Sequence, residues 1–194
     1  MAVMKIRNVL PSANAVVART RIVAAAVLSA AAALVFLPSG GFAKESTVPP
    51  SASLQPLLQA GDWLNGKPAG TSLAGKVVLV DVFTFDCYNC KNVTPNLRSL
   101  AAAGHADLAI IGIHTPETTY ERDRTQVVRH LETLGVTWPV AVDNNYALWK
   151  AYGVEYWPTQ MIFDRRGRLR KVVVGDSQDA AVNAEIISLL RERA

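Results

Sequence analysis

Residues 77–85 read Val-Val-Leu-Val-Asp-Val-Phe-Thr-Phe, and just beyond them stand the only two cysteines of the chain, Cys87 and Cys90. The β-branched and aromatic run predicts a buried strand. A C-x-x-C that closes such a strand and opens a helix places a helix N-terminus at the end of a sheet, and it is first of all a redox motif. Two thiols one helical turn apart can close a disulfide with little backbone movement. The unpaired N–H groups and positive dipole end of the helix stabilise a thiolate on the first of them. Cys87 is therefore the expected attacking thiol. Cys90, one turn inside the helix, is the expected shielded resolving thiol.

Two other uses of the pair compete. A structural disulfide across so short a loop would close little chain entropy and make a poor staple. A structural zinc ion needs four ligands. Beyond the cysteines the chain offers scattered histidines at 105, 114 and 130, with no second C-x-x-C and no H-x-x-x-H, so no metal site is expected.

The formal charge of +4 has an uneven origin. Lys5, Arg7, Arg19 and Arg21 are the only basic residues before position 44, and no acidic residue precedes Glu45. Without those four, basic and acidic residues are equal in number. The high pI thus belongs to the leader. No basic patch interleaved with aromatics follows, and no nucleic-acid partner is expected. Residues 22–37 form an alanine-rich apolar run interrupted by Ser29, followed by Pro38-Ser-Gly-Gly-Phe-Ala43. Basic flank, apolar core and small residues make the three-part pattern of a secretory signal cleaved after Ala43. Read instead as an uncleaved membrane anchor with its N-terminus inside, the run is short of the ~20 residues a span needs. Residues 1–43 are accordingly assigned as signal peptide or N-terminal membrane anchor. Residues 44–56, with Pro49, Pro50 and Pro56, are assigned as a flexible linker. Residues 57–194 are the globular domain, exported and periplasmic, either soluble or tethered to the inner membrane.

Within the domain the pattern predicts a helix over 88–103, a strand over 107–114 and a helix over 119–134 that opens with a Thr118/Glu121 capping box. A strand over 138–142, a helix over 145–152, a hairpin pairing 159–163 with 169–174 and a final helix over 177–193 follow. Residues 57–64 are ambiguous and 65–75 read as loop. This alternation implies an α/β sandwich around a mixed sheet.

These residues resemble the thioredoxin-like superfamily. More narrowly, they are similar to the exported TlpA-like thiol–disulfide oxidoreductases, especially the C-terminal domain type of DipZ. The matching segments are Val-Val-Leu-Val-Asp-Val-Phe-Thr-Phe-Asp-Cys-Tyr-Asn-Cys, Ile-Gly-Ile-His-Thr-Pro-Glu, Ala-Val-Asp-Asn-Asn-Tyr-Ala-Leu-Trp and Tyr-Trp-Pro-Thr. The resemblance implies a three-layer sandwich with a mixed central β-sheet flanked by helices. It implies an oxidoreductase that passes through a mixed disulfide, has no cofactor beyond the redox-active Cys87–Cys90 disulfide, and acts as a monomer. Its partners would be protein thiols or disulfides and a membrane-linked electron donor, with reduction of extracytoplasmic proteins as one direction of flow. Asp81 matches the buried acid behind the cysteine pair, where burial would raise its pKa and let it exchange a proton with Cys90. Pro95 matches the proline that kinks the active-site helix. Pro158 matches a cis-proline facing the pair, with Trp157 bordering the substrate surface. Asp86 stands where thioredoxins carry tryptophan, and its charge opposes thiolate formation at Cys87. Tyr88-Asn89 replaces Gly-Pro, and Val93 stands where some cytochrome-maturation relatives carry glutamate. His114, at the carboxyl end of a strand, lies on the face where α/β proteins place their sites.

Two alternatives remain at this point. Thr84-Phe-Asp-Cys87 fits the T-x-x-C of a peroxiredoxin-type peroxidase, although Val80 replaces that motif's proline and Pro158 lies where the activating arginine is expected. The other alternative is a redox-inert thioredoxin-like binding module, against which the intact cysteine pair argues.

Overall fold

Strand β2 (Val77–Phe83) is buried along its whole length, and the sheet is built outward from it. The computed structural model describes residues 47–193. The leader assigned to 1–43 lies outside the described residues. β3 (Leu108–His114) runs parallel to β2, with Asp81 opposite Gly112 and Phe83 opposite His114. β4 (Val140–Val142) continues in parallel beyond β3. β5 (Thr159–Phe163) lies antiparallel on the other side of β2, and β6 (Leu169–Val174) closes that edge. A two-residue strand β1 (Trp63–Leu64) caps the far edge against β4, giving the order β1-β4-β3-β2-β5-β6. The helices are α1 (Gln55–Gln59), α2 (Gly70–Leu73), α3 (Tyr88–Ala102), α4 (Arg124–Leu134), α5 (Ala147–Tyr152) and α6 (Asp179–Arg191).

Alternation along β2 divides the core in two. Val77, Leu79 and Phe83 join Leu97 of α3, Leu131 of α4 and Ile186 of α6 on one face. Val78, Val80 and Val82 join Leu57 of α1, Leu73 of α2 and Tyr152 of α5 on the other. Side chains two apart on a strand share a face. Asp81 therefore points to the face that holds α3 and Cys90. At roughly 1.5–3 kcal/mol per buried large aliphatic side chain, these two layers hold β2 rigidly at the centre, and with it the loop that carries Cys87. Gly112 permits the close packing of β2, β3 and β4. A Cβ there would lie 2.9 Å from Phe83 Cε1 and 3.0 Å from Val140 Cγ2.

The mixed sheet flanked by helices is the expected α/β sandwich. Two expectations shift. The helix over 119–134 splits into a 3-10 turn (Tyr120–Arg122) and α4, because Asp123 caps α4 by accepting from Thr125 N and Gln126 N. From residue 47 onward, the segment assigned as a flexible linker is bound to the domain. Val48 is buried, Thr47 Oγ1 donates to Gly153 O, and Tyr152 Oη donates to Ser53 O at 3.0 Å. An apolar side chain at 48 and free backbone carbonyls suffice to dock this proline-rich stretch. No helix among the described residues is long and apolar enough to cross a membrane.

Candidate active site

The loop after β2 delivers both cysteines to α3. Cys87 is the N-cap, in extended conformation, and its Sγ accepts the Cys90 N–H at 3.2 Å. The two form a disulfide with Cα atoms 5.3 Å apart. Cys87 is half-buried, whereas Cys90 is 3% exposed within the core face of α3. This asymmetry follows from position: the cap sits at the helix rim, and the residue three further on turns inward. Tyr88 projects outward, 76% exposed. Pro95 lies within α3, removing an amide donor from the helix ladder.

Asp81 is buried, and desolvation pushes its carboxyl up to about 7, with the Gln160 side chain opposite pulling the other way. Asp81 Oδ1 and Gln160 Nε2 both lack a hydrogen-bond partner among the described residues. At neutral pH this group stands near the midpoint between acid and base, as a proton carrier must. Asp86 is exposed and bound to Lys91 Nζ at 2.9 Å. That hydrogen bond and the lysine charge hold its carboxyl below the usual range. The charge expected to oppose the Cys87 thiolate is thus offset by a neighbour on the first turn of α3.

The Trp157–Pro158 bond is cis. Pro158 immediately precedes β5, whose Thr159 pairs with Val82, so it sits at the carboxyl end of β2 where the cysteine loop begins. Trp157 is held by its indole N–H, which donates to Thr115 O at 3.0 Å, and by Trp149, 4.2 Å away between ring centroids. Cys87 and Trp157 pack against the same apolar cluster. Val93 is buried in α3.

His114 is fully buried, and desolvation lowers its pKa to about 4, with the Glu121 charge opposing. Its Nε2 lies 3.3 Å from Thr84 Oγ1, and Phe85 lies between the rings of His114 and His130, stacked 4.1 Å from the latter. Thr84 in turn donates to Glu121 Oε1 at 2.5 Å. Glu121 enters the sequence pattern only as half of a capping box. That half exists, since Glu121 Oε2 accepts Thr118 N at 2.7 Å. Its reach to the cysteine loop is invisible in sequence, because the contact spans 37 positions. Asp143 is a second buried acid that sequence reasoning missed. It accepts from Thr115 Oγ1, Leu148 N and Trp149 N, fixing both neighbours of Trp157. Among the described residues no group of three or more His, Cys, Asp or Glu side chains could hold a metal ion.

A cysteine pair at the N-terminus of a helix, set at the end of the central strand of this mixed sheet, is a thioredoxin-like arrangement. The chain belongs to the Redoxin family, whose pattern matches residues 62–186, within the TlpA-like branch of the thioredoxin-like superfamily. It is 36% identical over 135 residues to the DipZ proteins of Mycobacterium bovis and Mycobacterium tuberculosis, a match covering 67% of this chain and 19% of theirs. The chain thus spans about a fifth of the length of those relatives. It is 27% identical to the thiol–disulfide oxidoreductase YkuV of Bacillus subtilis, across 67% of this chain and 88% of YkuV. Among solved structures, a thiol-disulfide isomerase from Corynebacterium glutamicum superposes with a TM-score of 0.61 at 28% identity, covering 69% of this chain and 94% of that one. By family and fold the chain groups with these thioredoxin-like proteins.

Proposed function

We propose that the protein is exported and exchanges disulfides with extracytoplasmic proteins through Cys87. The observation that carries this reading is the asymmetric pair: a half-buried Cys87 capping α3 and a Cys90 sealed in the core. In the reducing direction the Cys87 thiolate attacks one sulfur of a substrate disulfide, and the displaced substrate sulfur takes up a proton. Cys90 then loses its proton and attacks Cys87 Sγ, which releases the second substrate thiol and closes the Cys87–Cys90 disulfide. Asp81, poised near neutrality on the face that holds Cys90, takes that proton. The electrons reside in the cysteine pair, and no further cofactor enters the cycle. Trp157 and Pro158 border the surface that receives the substrate chain. A membrane-linked electron donor would recharge the pair, and the leader supports placement outside the cytoplasm.

The peroxidase reading loses ground on one contact. Thr84, the threonine of T-x-x-C, commits its hydroxyl proton to Glu121 and is buried beside His114. Reduction of insulin by the full-length protein with a dithiol as electron source tests the proposal. Turnover that disappears in Cys87→Ser is expected. Activity at background level would favour the redox-inert module, and thiol-dependent peroxide consumption instead would restore the peroxidase.

A further inference from the structure

One buried carboxylate outside the proposed cycle touches both loops at the reactive end of the sheet. Glu121 is 1% exposed. Its Oε2 accepts Glu117 N at 2.8 Å, Thr118 N at 2.7 Å and Thr118 Oγ1 at 3.1 Å, all from the segment that leaves β3. Its Oε1 accepts Thr84 Oγ1 at 2.5 Å and Asp86 N at 3.3 Å, both from the segment that delivers Cys87. Every donor is a neutral N–H or O–H. Hydrogen bonds to an ionised acceptor are the strong kind, and here none of them cancels the charge.

We propose that Glu121 is a positioning residue for the redox pair: it ties the segment entering Cys87 to the loop beyond β3 and keeps a negative charge beneath that segment. The inference rests on the thiol–disulfide reading and deepens it.

The surrounding groups fit this role. Burial works against the charged form of Glu121, but the bonds from Thr84, Thr118 and Glu117 outweigh it and hold the carboxyl below its usual range. Thr84 has one hydroxyl proton, and the short bond to Glu121 uses it. The neutral tautomer of His114 consistent with this network carries its proton on Nε2, directed at Thr84 Oγ1, which leaves Nδ1 as a bare acceptor. Nδ1 indeed has no partner among the described residues. The other titratable groups around the loop do not neutralise Glu121. His130 is stacked on Phe85, and Asp86 and Lys91 are engaged with each other. A carboxylate near a thiol disfavours the thiolate. Glu121 therefore restrains the acidity that the α3 N-terminus confers on Cys87, while Asp86 and Lys91 leave little net charge at the surface.

Glu121→Gln separates the two sides of the tie. The amide keeps its single oxygen where three donors converge, from Glu117 and Thr118. Its NH2 group then faces the Asp86 N–H, donor against donor, while the Thr84 hydroxyl can rotate to accept. The loop beyond β3 stays anchored and the cysteine segment is released and loses the charge. In the full-length reduced protein, alkylation of Cys87 at pH 7 should accelerate by up to about tenfold, as for a thiol pKa lowered by about one unit. The reduction potential in glutathione buffers should move in favour of the dithiol. Thr84→Val leaves the charge and removes one neutral donor that damps it, so alkylation should slow, by about threefold, or half a pKa unit. Both readouts follow the pair itself and need no substrate, so they are independent of whether insulin is turned over. A Glu121→Gln protein that folds with wild-type alkylation and potential overturns the proposal. If that variant does not fold, Thr84→Val decides alone, and an unchanged or faster alkylation overturns the role.

Discussion

At the scale of single residues, the two sulfurs are set apart by where α3 begins. Cys87 caps the helix and Cys90 is sealed behind it. Limiting alkylation of the reduced protein should label Cys87. Cys90→Ser should accumulate mixed disulfides, whereas Cys87→Ser should form none. Preferential labelling of Cys90, read by peptide mapping, would reverse the assignment. Asp81 offers a second check. The rate at which a trapped mixed disulfide resolves should rise through about pH 7, where its carboxyl ionises, and that inflection should vanish in Asp81→Asn. Stopped-flow measurement across about pH 5.5–8.5 would follow this inflection. Cysteine spacing and the aspartate six positions ahead were legible because both lie within one strand–helix joint. Glu121 and Asp143 were not. Each acts through contacts between loops far apart in sequence, and nothing local distinguishes either from an ordinary surface acid.

At the scale of elements, long periodic segments were readable and short ones were not. The hairpin pairing 159–163 with 169–174 stands as expected in β5 and β6. β1, with two residues, carries no period, and α2 lies in a stretch whose glycines and proline read as loop. The start of α4 shifted because two capping signals competed. Glu121 kept its contact with Thr118 N at the 3-10 turn, and Asp123 took the cap of α4, accepting Thr125 N at 2.8 Å. Asp123→Ala should cost about 1 kcal/mol, seen as a lower urea midpoint with the same slope. Gly112→Ala should cost about 1–3 kcal/mol by overpacking, because the added methyl meets Phe83 and Val140. Wild-type stability of that variant would mean that β3 can shift away from its neighbours.

At the scale of the whole molecule, two buried groups set opposing pH dependences. Asp81 keeps its proton in the fold up to about pH 7, while in the unfolded chain it loses it near pH 3.9. Between these values the fold binds the extra proton, and stability falls as pH rises. His114 stays neutral in the fold down to about pH 4, while the unfolded chain protonates it below about 6.5. There the unfolded state binds the extra proton, and stability rises with pH. Across pH 4.5–6.5 the two slopes, each about 1.4 kcal/mol per pH unit, largely cancel. Urea titrations of Asp81→Asn should therefore show stability climbing with pH in that window, and those of His114→Gln should show it falling. Parallel curves for wild type and both variants would mean that neither group is held as described. The strand order emerged only in the structure, whereas the mixed sheet and its flanking helices were readable from strand–helix alternation. The strap formed by the first described residues was not, since its prolines and serines resemble a tether. Its attachment to Gly153 and Tyr152 has a mechanical meaning. Tension on the chain ahead of Thr47 would load α5, on the face of the sheet away from α3, before it reached any strand. The reactive end would stay undistorted under that load.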